Sequence, residues 1–190
     1  ASGLNMSDTD FLNATGESPA DFRFEGGNGI VQNSGEIQAN SVYLIGKQIS
    51  NIGGAIIAPG GLIVLAVGDN VYLAQDGSNV LVQVEGPSAY PYDIDNRTLI
   101  STRDGGKIVL AAGDTFSRAI KNSSWLLARG GEIQVQAAKV ENRGVIWASA
   151  VESGADGGTV KLTGVEGVTM TTDDRPTSKI IAADGGANGN

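Results

Sequence analysis

Apolar and polar residues alternate along this chain in short bursts, and the bursts recur. Asn33, Gly35, Ile37 and Ala39 form an Asn-x-Gly-x-Ile-x-Ala frame, and the alternation continues at Val42 and Leu44. The frame restarts at Asn51 and Gly53, gains one residue before Ile56 and Ala58, and is followed by Gly60-Gly61 with Ile63 and Leu65. Period-two alternation marks a strand with one buried face. A unit that returns after about 20 residues marks a stacked architecture.

The same frame returns as Asn96-x-Thr98-x-Ile100-x-Thr102, as Asn122-x-Ser124-x-Leu126-x-Ala128 and as Asn142-x-Gly144-x-Ile146-x-Ala148, with a degenerate copy ending in Ser178-x-Ile180-x-Ala182. Gly-Gly pairs precede further alternating aliphatics: Gly105-Gly106 with Ile108 and Leu110, Gly130-Gly131 with Ile133 and Val135, Gly157-Gly158 with Val160 and Leu162. A third short run follows a glycine at Val71-Tyr72-Leu73, at Phe116 and at Val168-x-Met170. Like segments match from repeat to repeat. They are therefore expected to pair in parallel, coil over coil, and not as hairpins with tight Asn-Gly turns. The pattern predicts an all-β chain, a right-handed parallel β-helix with three short strands per coil of about 20 residues and with extra-helical loops or hairpins. About seven coils would stand roughly 4.8 Å apart.

The alternation assigns faces. Ile37, Ala39, Val42, Leu44, Ile63, Leu65, Ile100, Ile108, Leu110, Ile133, Val135, Ile146, Val160 and Leu162 are expected to point inward. The frame-starting residues Asn33, Asn51, Asn96, Asn122 and Asn142 are expected to form a structural ladder, each side-chain amide bonding the coils above and below.

Residues 1–190 read as a single domain, expected to be a fragment of a longer chain. Residues 1–28 form a lead-in or extra-helical element, in which Phe11-Leu12 and Phe22-x-Phe24 suggest short strands around a turn-rich segment. Residues 29–190 carry the coils. Ala39 to Ala58 spans 19 positions and Ala128 to Ala148 spans 20, the lengths of bare coils. Ala58 to Thr102 spans 44, which is two coils, or one coil with a large insertion. The insertion is placed near 85–95, over Glu85–Asp95. Thr115–Lys121 reads as a loop or a turn of helix, and Val151–Asp156 and Thr171–Pro176 as bulges.

Composition narrows the chemistry. Gly supplies 28 of 190 residues and aromatics are few, which suits short strands and tight turns. The net charge of −8 is scattered and no basic stripe exists, so no nucleic-acid partner is expected. No apolar run is long enough for a transmembrane segment. The absence of Cys excludes disulfides and thiolate metal sites, and the absence of His removes the commonest general base.

Three ordered blocks carry a family resemblance. They are Gly29-Ile30-Val31-Gln32-Asn33-Ser34-Gly35-Glu36-Ile37-Gln38-Ala39, then Tyr43-Leu44-Ile45-Gly46 with Ile49 and Asn51, then Ile57-Ala58-Pro59-Gly60-Gly61 with Ile63, Leu65-Ala66, Gly68-Asp69, Val71 and Leu73. Together with Asp10-Phe11-Leu12-Asn13 and Phe22-x-Phe24-x-Gly26, this series resembles the haemagglutination-activity domain of filamentous-haemagglutinin-like exoproteins of two-partner secretion. The resemblance is strongest over residues 8–73. It implies a secreted adhesin, extracellular or on the cell surface of a Gram-negative bacterium, exported unfolded through an outer-membrane partner transporter. It also implies a role in cell adhesion, as a repeat protein or solenoid that contacts a host or neighbouring-cell surface protein or glycan. Further copies of itself are a second class of partner. The absence of Cys suits export, since no disulfide can lock the chain beforehand.

Each candidate site has a plain structural alternative. Asp93-x-Asp95 and Asp173-Asp174-Arg175 are the best carboxylate groupings for a polysaccharide-active β-helix enzyme, but both stand near Pro in segments read as solvated loops. No enzyme activity, cofactor or metal is expected. Asp156-Gly157-Gly158 and the Asp184 segment do not meet a calcium-repeat spacing. The sequons at Asn96 and Asn122 coincide with the ladder, whereas those at Asn5 and Asn13 do not. Arg103-Asp104-Gly105 is a permuted tripeptide at a coil turn. The outward frame positions run from polar Glu36 and Gln38 to Leu99, Trp125, Leu127, Val145 and Trp147. This strip is the candidate contact surface, with Tyr90 and Tyr92 as its expected cover or companions. A self-assembling extracellular filament or matrix subunit is the alternative to an adhesin or scaffold.

Overall fold

The computed structural model describes residues 1–13, 22–76, 79–86, 93–113, 119–171 and 179–181. The described residues are all-β apart from one short helix, and their elements follow in this order: α1 (Asp8–Asn13), β1 (Phe22–Glu25), β2 (Ile30–Asn33), β3 (Ile37–Gln38), β4 (Ser41–Gly46), β5 (Gln48–Asn51), β6 (Ile56–Ile57), β7 (Leu62–Val67), β8 (Asn70–Asp76), β9 (Asn79–Glu85), β10 (Ile94–Asn96), β11 (Ile100–Asp104), β12 (Lys107–Ala112), β13 (Ala119–Asn122), β14 (Trp125–Arg129), β15 (Glu132–Asn142), β16 (Val145–Trp147), β17 (Thr159–Met170) and β18 (Lys179–Ile181).

Most strands fall into three columns of parallel, in-register pairs. One column runs β4, β7, β12, then the first halves of β15 and β17. A second runs β2, β5, β10, β13, then the second halves of β15 and β17. The third runs β3, β6, β11, β14, β16, β18. The chain visits the columns in rotation. Because β15 and β17 pass from the first column into the second without a break, those two columns form one nearly closed sheet. The inward side chains meet in one core. Ile49, Ile63, Leu65, Ile94, Ile100, Ile108, Leu110 and Leu126 are fully buried there. Ala39 is exposed, because among the described residues no strand lies beneath β3 to cover the first level.

Glycine makes the corners possible. At the turn into the first column, a β-carbon on Gly106 would collide with the Gly61 carbonyl, and one on Gly131 with the Gly106 carbonyl. Successive levels approach there through backbone alone.

Four expectations are corrected. Phe11-Leu12 belongs to α1 and not to a strand. The Ser7 hydroxyl accepts from Asp10 N at 3.0 Å and donates to the Asp10 carboxylate at 2.7 Å, a cap that starts a helix locally. Phe11 stays 69% exposed, and the burial falls to Phe22 and Phe24 of β1 instead.

Next, the 44-residue interval is one level with an insertion, since β6 pairs directly with β11. The insertion begins well before Glu85. β8 and β9 leave the stack as an antiparallel hairpin, and Val71-Tyr72-Leu73 is no third strand of a coil. At the other end, Ile94–Asn96 has already rejoined the second column. β1 pairs with β8 to complete a three-stranded antiparallel sheet. That sheet lies on the outer face of the first column and buries Ile45, Val64, Ala66, Val109 and Ala111 with Leu4, Val71 and Leu73 in a second core.

The physical reason is visible in strand composition. Leu62–Val67 and Lys107–Ala112 are nearly continuous apolar runs, as strands buried on both faces require, whereas the alternating Glu132-Ile133-Gln134-Val135-Gln136 has one wet face. Third, Ala119–Lys121, expected in a loop or helical turn, opens β13; Thr115 and Phe116 lie outside the described residues. Fourth, the described strands stack six levels high, where about seven coils were expected.

Candidate functional site

The outward face of the third column carries the apolar strip. Strand register sets Trp125 beside Val145 and Leu127 beside Trp147. The two indoles, diagonal to one another across adjacent strands, stack with ring centroids 5.9 Å apart and planes inclined by 25°. Such a pair contributes about 0.5–1.5 kcal/mol beyond its buried area. Trp125 lies over Val145, which is buried, and itself stays 42% exposed. Trp147 is half-buried and its Nε1 donates to Ser149 Oγ. Leu99 and Leu127 are half-buried in the same face. Tyr90 and Tyr92 lie outside the described residues.

The frame asparagines meet inside the stack. Asn33 Nδ2 donates to Asn51 Oδ1 at 2.8 Å, Asn51 to Asn96 at 2.8 Å, Asn96 to Asn122 at 2.8 Å and Asn122 to Asn142 at 2.7 Å. Asn51, Asn96 and Asn142 have no exposed surface. Above Asn142 the register position is Met170, whose Sδ accepts the Asn142 amide at 3.7 Å. The sequons at Asn96 and Asn122 are thus inside the core, while Asn5 is exposed and bridges Glu25.

The charged candidates are dispersed. Asp93 and Asp95, expected in a solvated loop, are buried in and beside β10, because the strand already starts at Ile94, inside the expected insertion. Asp93 Oδ2 accepts from Ala119 N at 2.8 Å. Asp95 accepts from Arg97 Nε at 2.8 Å, and this hydrogen bond, with the carboxylate charge, raises the Arg97 pKa further. Strand register places Asp95, Lys121 and Glu141 in one outward row of alternating charge. Arg143 pairs with Glu141, and Arg129 with Asp104. Asp173, Asp174 and the Asp184 segment lie outside the described residues. Among the described residues no three His, Cys, Asp or Glu side chains come close enough to hold a metal ion.

Arg103 adopts a left-handed φ of 58°, and Ser101 Oγ accepts from its backbone N at 2.9 Å, fixing an exposed turn at the register shift in β11. A cavity of about 470 Å³ opens beside the second column, lined by Lys139, Glu141, Glu166, Thr169 and Thr171 among others. Lys139 Nζ and Glu166 Oε2 are 3.0 Å apart, so these two charges offset one another at its rim.

Sequence reasoning missed one surface, the outer face of the first column. Tyr43, Val64 and Val109 stand in register there beneath the three-stranded sheet. The signal was the doubly apolar runs at Leu62–Val67 and Lys107–Ala112. No known protein family, curated protein or solved structure matches this chain.

Proposed function

We propose that this chain is a right-handed parallel β-helix with three short strands per coil, and that it serves as a secreted adhesin or extracellular scaffold of the filamentous-haemagglutinin-like, two-partner secretion type. The observation that supports it best is the rotation of the chain through three parallel columns around one dry core, laced by the Asn33–Asn142 amide ladder. A stack of this kind is stiff along its axis and holds excursions such as the β8–β9 hairpin at fixed positions. Its function is non-catalytic presentation. Export proceeds through an outer-membrane partner transporter, and the Trp125–Trp147 strip contacts a surface protein or glycan of a host or neighbouring cell.

The test is direct binding of the fluorescently labelled chain to bacterial and epithelial cells and to immobilised glycans, with Trp125→Ala and Trp147→Ala as comparisons. Saturable binding weakened at least tenfold by either substitution supports the proposal. No binding to any of these surfaces, or release of reducing ends from polysaccharide, contradicts it. Self-assembly is the second reading, and the outer edges of β17 and β18, which pair with no strand among the described residues, favour it.

A further inference from the structure

Residues 1–5 and 22–29 are tied to one another and to the first column. Ile45 N donates to Ala1 O at 3.0 Å and Gly3 N donates to Ile45 O at 2.7 Å, so the opening segment lies along β4. It then meets the return of the chain, where Gly29 N donates to Gly3 O at 3.1 Å. The crossing is tight, since a β-carbon on Gly3 would collide with the Gly29 carbonyl. Two residues on, Asn5 and Glu25 exchange both backbone hydrogen bonds, Asn5 N to Glu25 O at 3.2 Å and Glu25 N to Asn5 O at 2.8 Å. Leu4, between these two ties in sequence, is sunk in the second core.

The same segment holds the β8–β9 hairpin. β1 pairs with β8 from Phe22 opposite Leu73 to Glu25 opposite Asn70. Phe22 and Phe24 pack in the second core with Val71, Leu73, Val82 and Val84 of the hairpin. The two layers depend on one another unequally. Without the hairpin, β1 would keep only the Asn5–Glu25 bridge as a backbone partner among the described residues. Without β1, the hairpin would keep its own ladder from Asn70–Glu85 to Asp76–Asn79 and its apolar contact with Val64, Ala66, Val109 and Ala111. Its neck would stay fastened too. Asp69 N donates to Glu85 O at 2.6 Å, and a β-carbon on Gly113 would collide with the backbone of Val84 and Glu85.

We propose that residues 1–5 and 22–29 form a latch that opens before the hairpin, and that the β8–β9 hairpin leaves the first column only from the latch-open state. A detached two-stranded hairpin is marginal in water, so it unzips once it leaves. The two steps together uncover Ile45, Val64, Ala66, Val109 and Ala111, while the three columns and their asparagine ladder stay closed. The latch therefore controls access to an apolar sheet face separate from the Trp125–Trp147 strip. The inference rests on contacts within the chain and stands whether or not the chain is an adhesin.

Native-state hydrogen exchange on the whole 190-residue chain tests it, because each amide reports the opening that exposes it. The amides of Gly3, Asn5, Glu25 and Gly29 are expected to exchange together. Those shared between β8 and β9 should follow at least tenfold more slowly, and those of β5, β10 and β13 last. Gly3→Ala strains the crossing and should speed exchange in both latch and hairpin by a common factor of at least ten, with β5, β10 and β13 unchanged. Val82→Ala loosens the hairpin on the column and should speed exchange at least threefold in β8 and β9, with the latch unchanged. Hairpin amides that exchange as fast as those of the latch, a Gly3→Ala effect that does not reach both, or a Val82→Ala effect of equal size on the latch overturns the proposal.

Discussion

Asn51 donates its side-chain amide to Asn96 at 2.8 Å, although 45 positions separate them in the chain. The hairpin and its return account for the gap. The same amide contact spans 18 positions from Asn33 to Asn51 and 20 from Asn122 to Asn142. One buried hydrogen-bond row therefore holds register across levels whose connections differ greatly in length. Register is worth specifying this way, since a slip of one residue would turn every inward side chain outward.

Removing one rung should be costly. Asn96→Ala leaves the buried Asn51 Nδ2 without its acceptor and takes the inter-level donor from Asn122 Oδ1. The expected loss is about 2–4 kcal/mol in urea unfolding, whereas Gln32→Ala on the exposed side of β2 should change stability by no more than about 0.5 kcal/mol. Equal effects would mean that the ladder does not hold the stack.

Two glycines of similar sequence context should behave differently. A β-carbon on Gly131 meets the Gly106 carbonyl, which is itself fixed as the acceptor for Glu132 N. Gly131→Ala is expected to cost about 2–3 kcal/mol. At Gly35 a β-carbon meets nothing within 4 Å, and Gly35→Ala should stay within about 1 kcal/mol of the parent. Thermal melts of the pair decide the point.

The stacked indoles have a spectroscopic signature. Two Trp rings 5.9 Å apart couple, giving a paired positive and negative band in far-ultraviolet circular dichroism. Trp125→Phe or Trp147→Phe alone should abolish the whole couplet, with a stability loss of about 0.5–1.5 kcal/mol. Halving of the signal by each substitution would show that the rings do not interact.

Tyr43 gives the second core a pH dependence. Burial raises its pKa above the ordinary phenol value of 10.0. A raised folded-state pKa means that the contribution is complete below the unfolded value and is lost as pH rises from there through the folded value. Relative to Tyr43→Phe, the native chain should therefore lose stability only above about pH 10. Parallel stability profiles for the two proteins across that range would contradict this placement of Tyr43.

Much of the stack was legible because its physics is local and periodic. Alternation set the inward faces of Ile63, Ile108 and Ile133, and a shared frame brought Asn33 to Asn142 into one row. The neighbourhood of Trp125 and Trp147 followed from register alone. Their diagonal stacking did not, since it depends on how two large rings lean. The hairpin was hidden for a different reason. Val71-Tyr72-Leu73 alternates just as a strand of the stack does, and only its partner, β9, distinguishes the two. What betrayed it was the need to cover Val64 and Val109, a demand written in neighbouring strands. The helix at Asp8–Asn13 rests on a single cap at Ser7, too short a signal to outweigh two adjacent apolar residues.

Consecutive passes of the chain stack in parallel register even across the hairpin, and the absence of native Cys allows a clean test. Ile57 and Ser101 are in-register partners on the outward side of the third column, and Leu127 stands one level further on. Ile57→Cys with Ser101→Cys should close a disulfide promptly on mild oxidation of the folded chain, detected by mass and by gel mobility. Ile57→Cys with Leu127→Cys should not, because two levels stand roughly 10 Å apart, beyond what a disulfide spans. Closure of the second pair in preference to the first would contradict the stack.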